Sequence, residues 1–410
     1  MESKRHRIDS VYNFGLTNHI PIQTQIHEAS NVRDFGLSLY ARPRTRKHLV
    51  EGLWCSFDDV DLSPLHNGRL RHLSIYSIIG TIDLTPLVRL SSVKVTYYKE
   101  PHDRDGYEPY VIFPESDSLE EVTIQGSVRH DCKTLANLTN LRKLTFHNLR
   151  DTDLSWLNAS KSLKHIHAYF RFPKSIILPA IATLESLRLV SWKIRDPYSM
   201  KMINLDPLKG CKNLKEIRIS KQRISEIDFS PLSHCDQLEE IYVVGCNLQT
   251  ADLSQLKSLK KIVLQYNKLH GVTVPDSYEP EYVDLRSNAF QRIDLNDFSS
   301  SNLKHLDLSK NPIIALDLVP LSACVSLEKL EMEHNQLKTV DLTPLAGLVH
   351  FRSFKIKSKF LPEIDITPLL SCPALEEVKV GKSKLIAESR LSDEIASPRL
   401  QKLRKKITWY

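Results

Sequence analysis

Residues 303–345 read LKHLDLSKNPIIALDLVPLSACVSLEKLEMEHNQLKTVDLTPL, and one pattern occurs in this stretch twice. Leu303 opens the first copy and Leu327, 24 residues later, opens the second. Both have the spacing L-x-x-L-x-L-x-x-N-x-L, with Ile313 at one L position of the first copy and Met332 at one of the second. Leucines in alternation with other residues indicate a half-buried strand, with the leucines inside and the intervening residues outside. A unit of about 24 residues cannot bury a core alone, so the repetition predicts a solenoid of stacked units.

The pattern continues after this stretch, because Phe351 and Leu375 open two further copies at intervals of 24 residues. A polar side chain at the N position can satisfy backbone groups in the bend that follows the strand. Leaving such groups unpaired costs roughly 1–3 kcal/mol each. We therefore predict a structural ladder of turn residues made of Cys246, Asn267, Asn288, Asn311 and Asn335.

A second signature, an aliphatic residue followed by Asp-Leu-Ser/Thr-Pro-Leu, closes the units. Ser and Thr are favoured helix caps and Pro favours the first helical position, so the signature predicts a short helical turn capped by its Ser or Thr. The Asp recurs with the backbone, and we predict that it holds the turn into the helix. The spacing predicts about 14 or 15 rungs of 21 to 25 residues, and copies of the signature lie at 60–65, 82–87, 227–232, 316–321, 340–345 and 364–369.

These residues resemble the leucine-rich repeat family, in a variant with Asp-Leu-Ser/Thr-Pro-Leu repeats that is similar to intracellular arrays. The resemblance covers about residues 49–398. It implies an α/β solenoid shaped as a horseshoe, with a concave parallel β-sheet and short helical or 3-10 turns on the convex side. It also implies a protein-binding role, usually through the concave side, and no catalytic residues of the family's own.

Three regions are expected along the chain. Residues 1–48 form an N-terminal cap or degenerate repeats, residues 49–398 form the solenoid, and residues 399–410 form a basic C-terminal cap or tail. The solenoid is irregular at 97–118 and 191–202, where the repeat spacing breaks. A cap is expected at a terminus because an open stack would expose its leucines.

The composition is that of an ordinary folded protein: 410 residues, of which 41% are hydrophobic and 26% charged, with a net charge of +7. The N-terminus holds no apolar run of signal-peptide type, and no apolar stretch is long enough to span a bilayer. The seven cysteines include no C-x-x-C pair. We therefore expect a cytoplasmic protein that is monomeric when alone.

The sequence contains no G-x-G-x-x-G, G-x-x-x-x-G-K, H-E-x-x-H or G-x-S-x-G signature, so we expect no enzyme, no cofactor and no metal ion. The predicted function is a protein–protein interaction scaffold or regulatory subunit. The outward strand residues between the two strand leucines change from basic to aromatic, acidic and basic again, which could complement a partner. A solvated face of random charge is the alternative. The candidate concave-face residues are Tyr76, His147, His167, Arg188, Tyr242, Tyr266, Asp284, Asp307 and Glu331.

Two groups on this face could also attract a metal ion. The three carboxylates of the face would stack on successive rungs, where they could bind a basic protein segment or a divalent cation. His147, His165 and His167 would gather on neighbouring rungs, and imidazole is a common metal ligand. We favour ordinary surface histidines over a metal site for the second group, and a basic protein segment over a metal ion for the first.

Basic residues are concentrated near the ends of the chain, at 4–7, 42–47 and 399–406. Such clusters can bind nucleic acid or an anionic membrane. This is the alternative function, and simple solvation of the termini is the competing explanation.

Overall fold

A computed structural model of the chain describes residues 11–13, 36–40, 62–63, 70–76, 81–96, 110–126, 129–130, 132–149, 152–170, 173–191, 200–276, 278–388 and 404–410. The chain divides into two compact units. The first comprises residues 1–198 with 210–212, and the second comprises residues 199–209 with 213–410. No helix within the described ranges has both the length and the apolar character needed to cross a bilayer.

Eight described strands of the first unit form a parallel sheet, each hydrogen-bonded to the next along the chain. They are β1 (Val11–Asn13), β2 (Gly36–Tyr40), β3 (His72–Tyr76), β5 (Ser92–Thr96), β7 (Glu121–Gln125), β9 (Lys143–Leu149), β10 (His165–Phe170) and β11 (Ser186–Ser191). Three shorter strands pair in a second parallel sheet: β4 (Thr81–Asp83), β6 (Tyr110–Ile112) and β8 (Arg129–His130).

The second unit repeats this arrangement. Its eight described main strands are β12 (Glu216–Ser220), β13 (Glu240–Val244), β15 (Lys261–Val263), β17 (Tyr282–Asp284), β18 (His305–Asp307), β19 (Lys329–Asn335), β20 (Ser353–Ser358) and β22 (Glu377–Val380). Short strands form two further parallel sheets: β14 (Thr250–Asp252) with β16 (Gly271–Thr273), and β21 (Glu363–Asp365), β23 (Lys384–Ala387) and β24 (Ile407–Trp409) in that order.

In the described ranges the helices are few and short. The α-helices there are α1 (Cys132–Asn137) and α2 (Thr367–Leu370), and the 3-10 helices are Ser155–Ala159, Asp206–Gly210, Ser230–His234, Asn296–Phe298, Val319–Ala323 and Thr343–Leu345. A parallel strand followed by a short helical turn in each repeat is the predicted α/β solenoid class, which is confirmed within each unit. The main strands from β3 to β22 number fourteen, in agreement with the predicted 14 or 15 rungs.

The leucines of the repeat form the core. Leu303, Leu306 and Leu308 are fully buried, as are the residues at the same positions of the next rung. The cysteines that precede strand-opening leucines, such as Cys235 and Cys324, are buried free thiols, as expected of small packing residues.

The Asp of the second signature holds the bend before the helical turn by accepting a hydrogen bond from the backbone N–H two residues later. The distances are 2.8–3.0 Å at Asp83, Asp153, Asn204, Asp228, Asp252, Asp294, Asp317, Asp341 and Asp365. The predicted capping by Ser or Thr is wrong. In the 3-10 helix at Thr343–Leu345, the cap position holds Leu342 and no side chain caps it. The Ser or Thr is one residue too late, and its own N–H is the group that the Asp binds.

The bend after the strand is held from inside the core. Asn311 Nδ2 donates to Leu308 O at 3.0 Å and to Leu285 O on the preceding rung at 3.1 Å. Asn267, Asn288 and Asn335 make the equivalent pair of bonds. Each of these four asparagines follows a non-glycine residue with φ between 57° and 60°, a left-handed conformation that reverses the chain sharply.

The predicted region boundaries stay predictions. Strands β1 and β2 lie in the segment expected to be a cap or degenerate repeats, and β2 pairs with β3 in parallel register. Residues 110–118 of the first irregular stretch contain β6, whereas 97–109 and 192–199 are outside the described residues.

Candidate functional site

The outward side chains of each parallel sheet form columns, because the strands pair without offset. We call this surface the sheet face. In the second unit its central column runs Arg218, Tyr242, Val263, Asp284, Asp307, Glu331, Lys355 and Lys379. A flanking column, two residues earlier on each strand, runs Glu216, Glu240, Lys261, Tyr282, His305, Lys329, Ser353 and Glu377.

Four side chains, one from each of the neighbouring strands β12, β13, β15 and β17, form a cluster of cations on aromatic rings. The Arg218 guanidinium carbon lies 3.6 Å above the centre of the Tyr242 ring. Lys261 Nζ lies 5.4 Å from that ring and 4.8 Å from the Tyr282 ring. The Tyr242 hydroxyl donates to Glu240 at 2.6 Å. Burial, with help from this bond, raises the pKa of Tyr242, so the hydroxyl stays a donor at neutral pH.

Asp284 and Asp307 are less accessible than the sequence suggests. Both are only 2% exposed. Arg286 approaches both carboxylates, with its Nε 3.4 Å from Asp284 and its Nη1 3.7 Å from Asp307. Burial raises the pKa of Asp284 to about 6 and also raises the pKa of Asp307. The expectation that these two carboxylates face solvent therefore does not hold, and Arg286 is one of the side chains that lie against them.

Glu331 belongs to a chain of charges on the next strands. Lys355 Nζ lies 2.7 Å from Glu331 and 3.5 Å from Glu377. Burial alone would raise the pKa of Glu331, but the hydrogen bond and charge of Lys355 lower it overall. His305 stacks on Tyr282, with ring centres 4.5 Å apart, and burial lowers the pKa of His305 to about 4.

A shallow cavity of about 260 Å³ opens on this part of the sheet face. Its lining includes Arg218, Tyr242, Lys261, Tyr282, Asp284 and Arg286. The sequence-predicted Tyr266 lies beyond the end of its strand, 51% exposed, with the Arg286 guanidinium 5.9 Å from its ring. Sequence reasoning missed Lys261, Tyr282 and His305, although each occupies an outward strand position that the alternation of buried residues marks.

The remaining candidate residues belong to the first unit. His167 and Arg188 are register neighbours on β10 and β11. His147 stacks on Tyr169, with ring centres 4.6 Å apart, and burial lowers its pKa. Tyr76 ends β3, and its side chain is outside the described part.

The three-histidine metal alternative lacks support. Among the described residues, the group whose possible ligand atoms lie within 4.8 Å of one another is His305, Asp307 and Glu331. The basic segments at 4–7 and 42–47 lie outside the described residues, as do residues 399–403 of the third.

Two family models match the chain. A leucine-rich repeat model matches residues 281–337 and a BspA-type leucine-rich repeat model matches residues 183–282. No curated protein matches the chain.

Solved structures with a similar fold include a leucine-rich repeat protein of Leptospira interrogans, with 17% identity over 90% of this chain and 100% of that chain (TM-score 0.53). The Drosophila Toll–Spätzle complex has a chain with 14% identity over 90% of this chain and 51% of that chain (TM-score 0.51). An internalin of Listeria monocytogenes has 18% identity over 87% of this chain and 88% of that chain (TM-score 0.46).

Proposed function

Because this chain belongs to the leucine-rich repeat family, we propose that it is a non-catalytic scaffold or regulatory subunit that binds another protein on the sheet face of its second unit. The cluster of Arg218, Tyr242, Lys261 and Tyr282 carries this proposal. Tyrosine and arginine dominate the few residues that supply most binding energy at protein interfaces.

The stacked rings also favour binding for an entropic reason. The Arg218–Tyr242 and Tyr282–His305 stacks restrict these side chains before a partner arrives. A side chain that is already ordered loses less conformational freedom on binding, and each immobilised long side chain otherwise costs about 0.5–1.5 kcal/mol. Toll, a protein of the same fold, forms a complex with Spätzle, which supports a protein as the partner class here.

The test is affinity capture with the full chain, followed by affinity measurement with the captured partner. We expect Tyr242→Ala to weaken binding about 30-fold, which corresponds to roughly 2 kcal/mol at a central aromatic contact. Lys261→Glu places a carboxylate between two tyrosine rings and should weaken binding as well, without removing core volume.

Lys257→Glu is the matched control, because it makes the same charge change at an exposed position of the preceding turn. A partner that binds wild type, Lys257→Glu and Lys261→Glu equally would exclude this face as the binding surface. Partner affinity that falls equally in both lysine variants would indicate a general charge effect instead.

We further propose that the protein resides in the cytoplasm. Cys211, Cys235, Cys246, Cys324 and Cys372 are buried free thiols, and reducing compartments keep thiols in this form. Alkylation in denaturant, without reductant, should label all seven cysteines of the protein taken from its native cell. Fewer labelled thiols would argue for an oxidising compartment.

A further inference from the structure

His305, Asp307 and Glu331 place an imidazole and two carboxylates on the adjacent strands β18 and β19, with their possible ligand atoms all within 4.8 Å of one another. We propose that these three side chains form a binding site for a divalent transition-metal ion. The proposal departs from the sequence expectation of no metal, and it is independent of the proposed protein partner.

The contact between the two carboxyl groups needs a cation or a proton. Possible ligand oxygens of Asp307 and Glu331 lie within 4.8 Å of each other, and two ionised carboxylates repel each other unless positive charge lies between them. Asp284, the register neighbour of Asp307 on β17, adds a third carboxylate beside them. Arg286 and Lys355 offset part of this charge, but Lys355 is shared with Glu377. Lys379 also pairs with Glu377, at 2.6 Å, and Lys329 is the register neighbour of His305. Cations therefore offset most of the carboxylate charge, and a metal ion would compete with Lys355 for Glu331.

His305 gives the site its nitrogen ligand. Its ring is held flat against Tyr282, with 5° between the ring planes. Its ring nitrogens have no hydrogen-bond partner among the described residues. An oriented imidazole with free nitrogens is a ready ligand, and the neutral ring is the form that binds metals.

The carboxylates of Asp307 and Glu331 each keep oxygen lone pairs that could bind a metal ion. Asp307 Oδ1 accepts the Ser309 N–H at 2.9 Å, which fixes the carboxylate plane. Asp307 Oδ2 has only the long contact to Arg286, and Glu331 Oε1 accepts from Lys355. One nitrogen with two carboxylates suits Zn²⁺, Mn²⁺ or Fe²⁺, whereas Ca²⁺ and Mg²⁺ prefer oxygen ligands alone.

The experiment titrates the chelator-treated full chain with Zn²⁺, Mn²⁺, Ca²⁺ and Mg²⁺, by calorimetry and by the shift in melting temperature. We expect one Zn²⁺ or Mn²⁺ per chain at this site. His305→Gln and Asp307→Asn should each weaken binding at least about tenfold. His165→Gln is the control, because His165 opens β10 as His305 opens β18, and it should leave this binding unchanged.

Lys355→Met gives a result that misfolding cannot mimic. Removal of the ammonium frees Glu331 for the ion, so this variant should bind the metal more tightly than wild type. Failure of both wild type and Lys355→Met to bind any of the four ions would overturn the proposal. So would binding that is insensitive to His305→Gln, including binding of Ca²⁺ or Mg²⁺ by the carboxylates alone.

Discussion

In the regular rungs of the second unit the chain bends twice: after the main strand, where a buried asparagine holds the inner bend, and before the 3-10 helix, where an exposed aspartate holds the outer bend. After the strand, Asn311 is 2% exposed and donates to three carbonyl oxygens, those of Leu285, Leu308 and Ser309. Before the 3-10 helix, Asp341 is exposed and accepts one backbone N–H at 2.9 Å. Water can replace the bond at the outer bend but not at the inner one, so the two bonds differ in what their loss costs.

The inner bend follows strands of different lengths. The strands before Asn267, Asn288 and Asn311 have three residues each, whereas β19, which ends on Asn335, has seven. The same asparagine contacts therefore hold the inner bend whether the strand before it is short or long.

Among the variants that test the two bends, Asn311→Ala should lower the free energy of unfolding the most. It leaves Leu285 O and Leu308 O without their side-chain donor, and Phe290 N without its acceptor at 3.3 Å. Buried groups without partners cost about 1–3 kcal/mol each, so we expect the free energy of unfolding to fall by roughly 2–4 kcal/mol. Urea unfolding followed by circular dichroism measures the loss.

Asn302→Ala is the control for that variant. Asn302 is exposed, and its amide bonds Glu279 at 3.0 Å on the surface, so its loss should cost less than about 0.5 kcal/mol. Asn267→Ala should fall between the two variants, because Asn267 Oδ1 has no hydrogen-bond partner. Equal losses in all three variants would show that burial does not distinguish these amides.

Cys246→Asn tests the same bend by adding an amide where this rung has none, because Cys246 occupies the repeat position that asparagine occupies in later rungs. The Cys246 sulfur lies 4.0 Å from Ile219 O and 3.8 Å from Val244 O, and Gly245 before it already has a φ of 64°. An amide there can reach carbonyls equivalent to those that Asn267 binds. We expect a gain of about 1 kcal/mol, the usual net contribution of one intramolecular hydrogen bond, seen as a higher melting temperature.

Cys324→Asn should do the opposite. Cys324 is also buried and free, but it precedes a strand and does not occupy the bend after one. An amide is larger than the thiol that it replaces in this packed position, so we expect a loss of roughly 1–3 kcal/mol. If Cys246→Asn and Cys324→Asn were both less stable than wild type, the carbonyl contacts in the bend would not explain why asparagine occurs at this repeat position.

The positions of the asparagines could be predicted from the sequence, because the same residue type at the same position of each repeat has the same structural role. The sequence could not predict Gln222, which follows the left-handed Lys221 and so occupies the same bend. Its longer side chain leaves both amide atoms unpaired although the residue is 1% exposed. The Ser/Thr cap failed for a related reason, since Asp and Ser/Thr both favour caps and only the backbone geometry decides between them.

The candidate site was predicted only in outline. The alternation of buried and outward residues in each strand predicted that the residues from Tyr242 to Glu331 share one face of the sheet. The strand register pairs them in the predicted order. The alternation did not reveal the burial of Asp284 and Asp307, since side chains such as Arg286 reach them from beyond the strand end. Contacts between rungs depend on the length and direction of individual side chains, which the spacing of residues in the sequence does not specify.

Asp341→Ala should have the smallest effect, because the outer bend is exposed to water. A capping carboxylate contributes about 0.5–2 kcal/mol, and exposure places this one near the lower limit. The side-chain and backbone hydrogen bonds of Thr343 hold the pKa of Asp341 below its usual value. The ionised form is therefore favoured in the folded state, so its contribution is present above the ordinary carboxyl pKa and is lost as the pH falls through the lowered one.

The stability difference between wild type and Asp341→Ala should consequently shrink as the pH falls from neutral towards 3, when urea unfolding is measured at each pH. Asp341→Asn keeps an acceptor oxygen but has no titration, so its difference from wild type should shrink in the same acidic range and remain smaller than that of Asp341→Ala at neutral pH. A difference that stays constant with pH would mean that side-chain volume, and not the charged hydrogen bond, matters at the outer bend. The two bends would then differ in kind and not only in exposure to water.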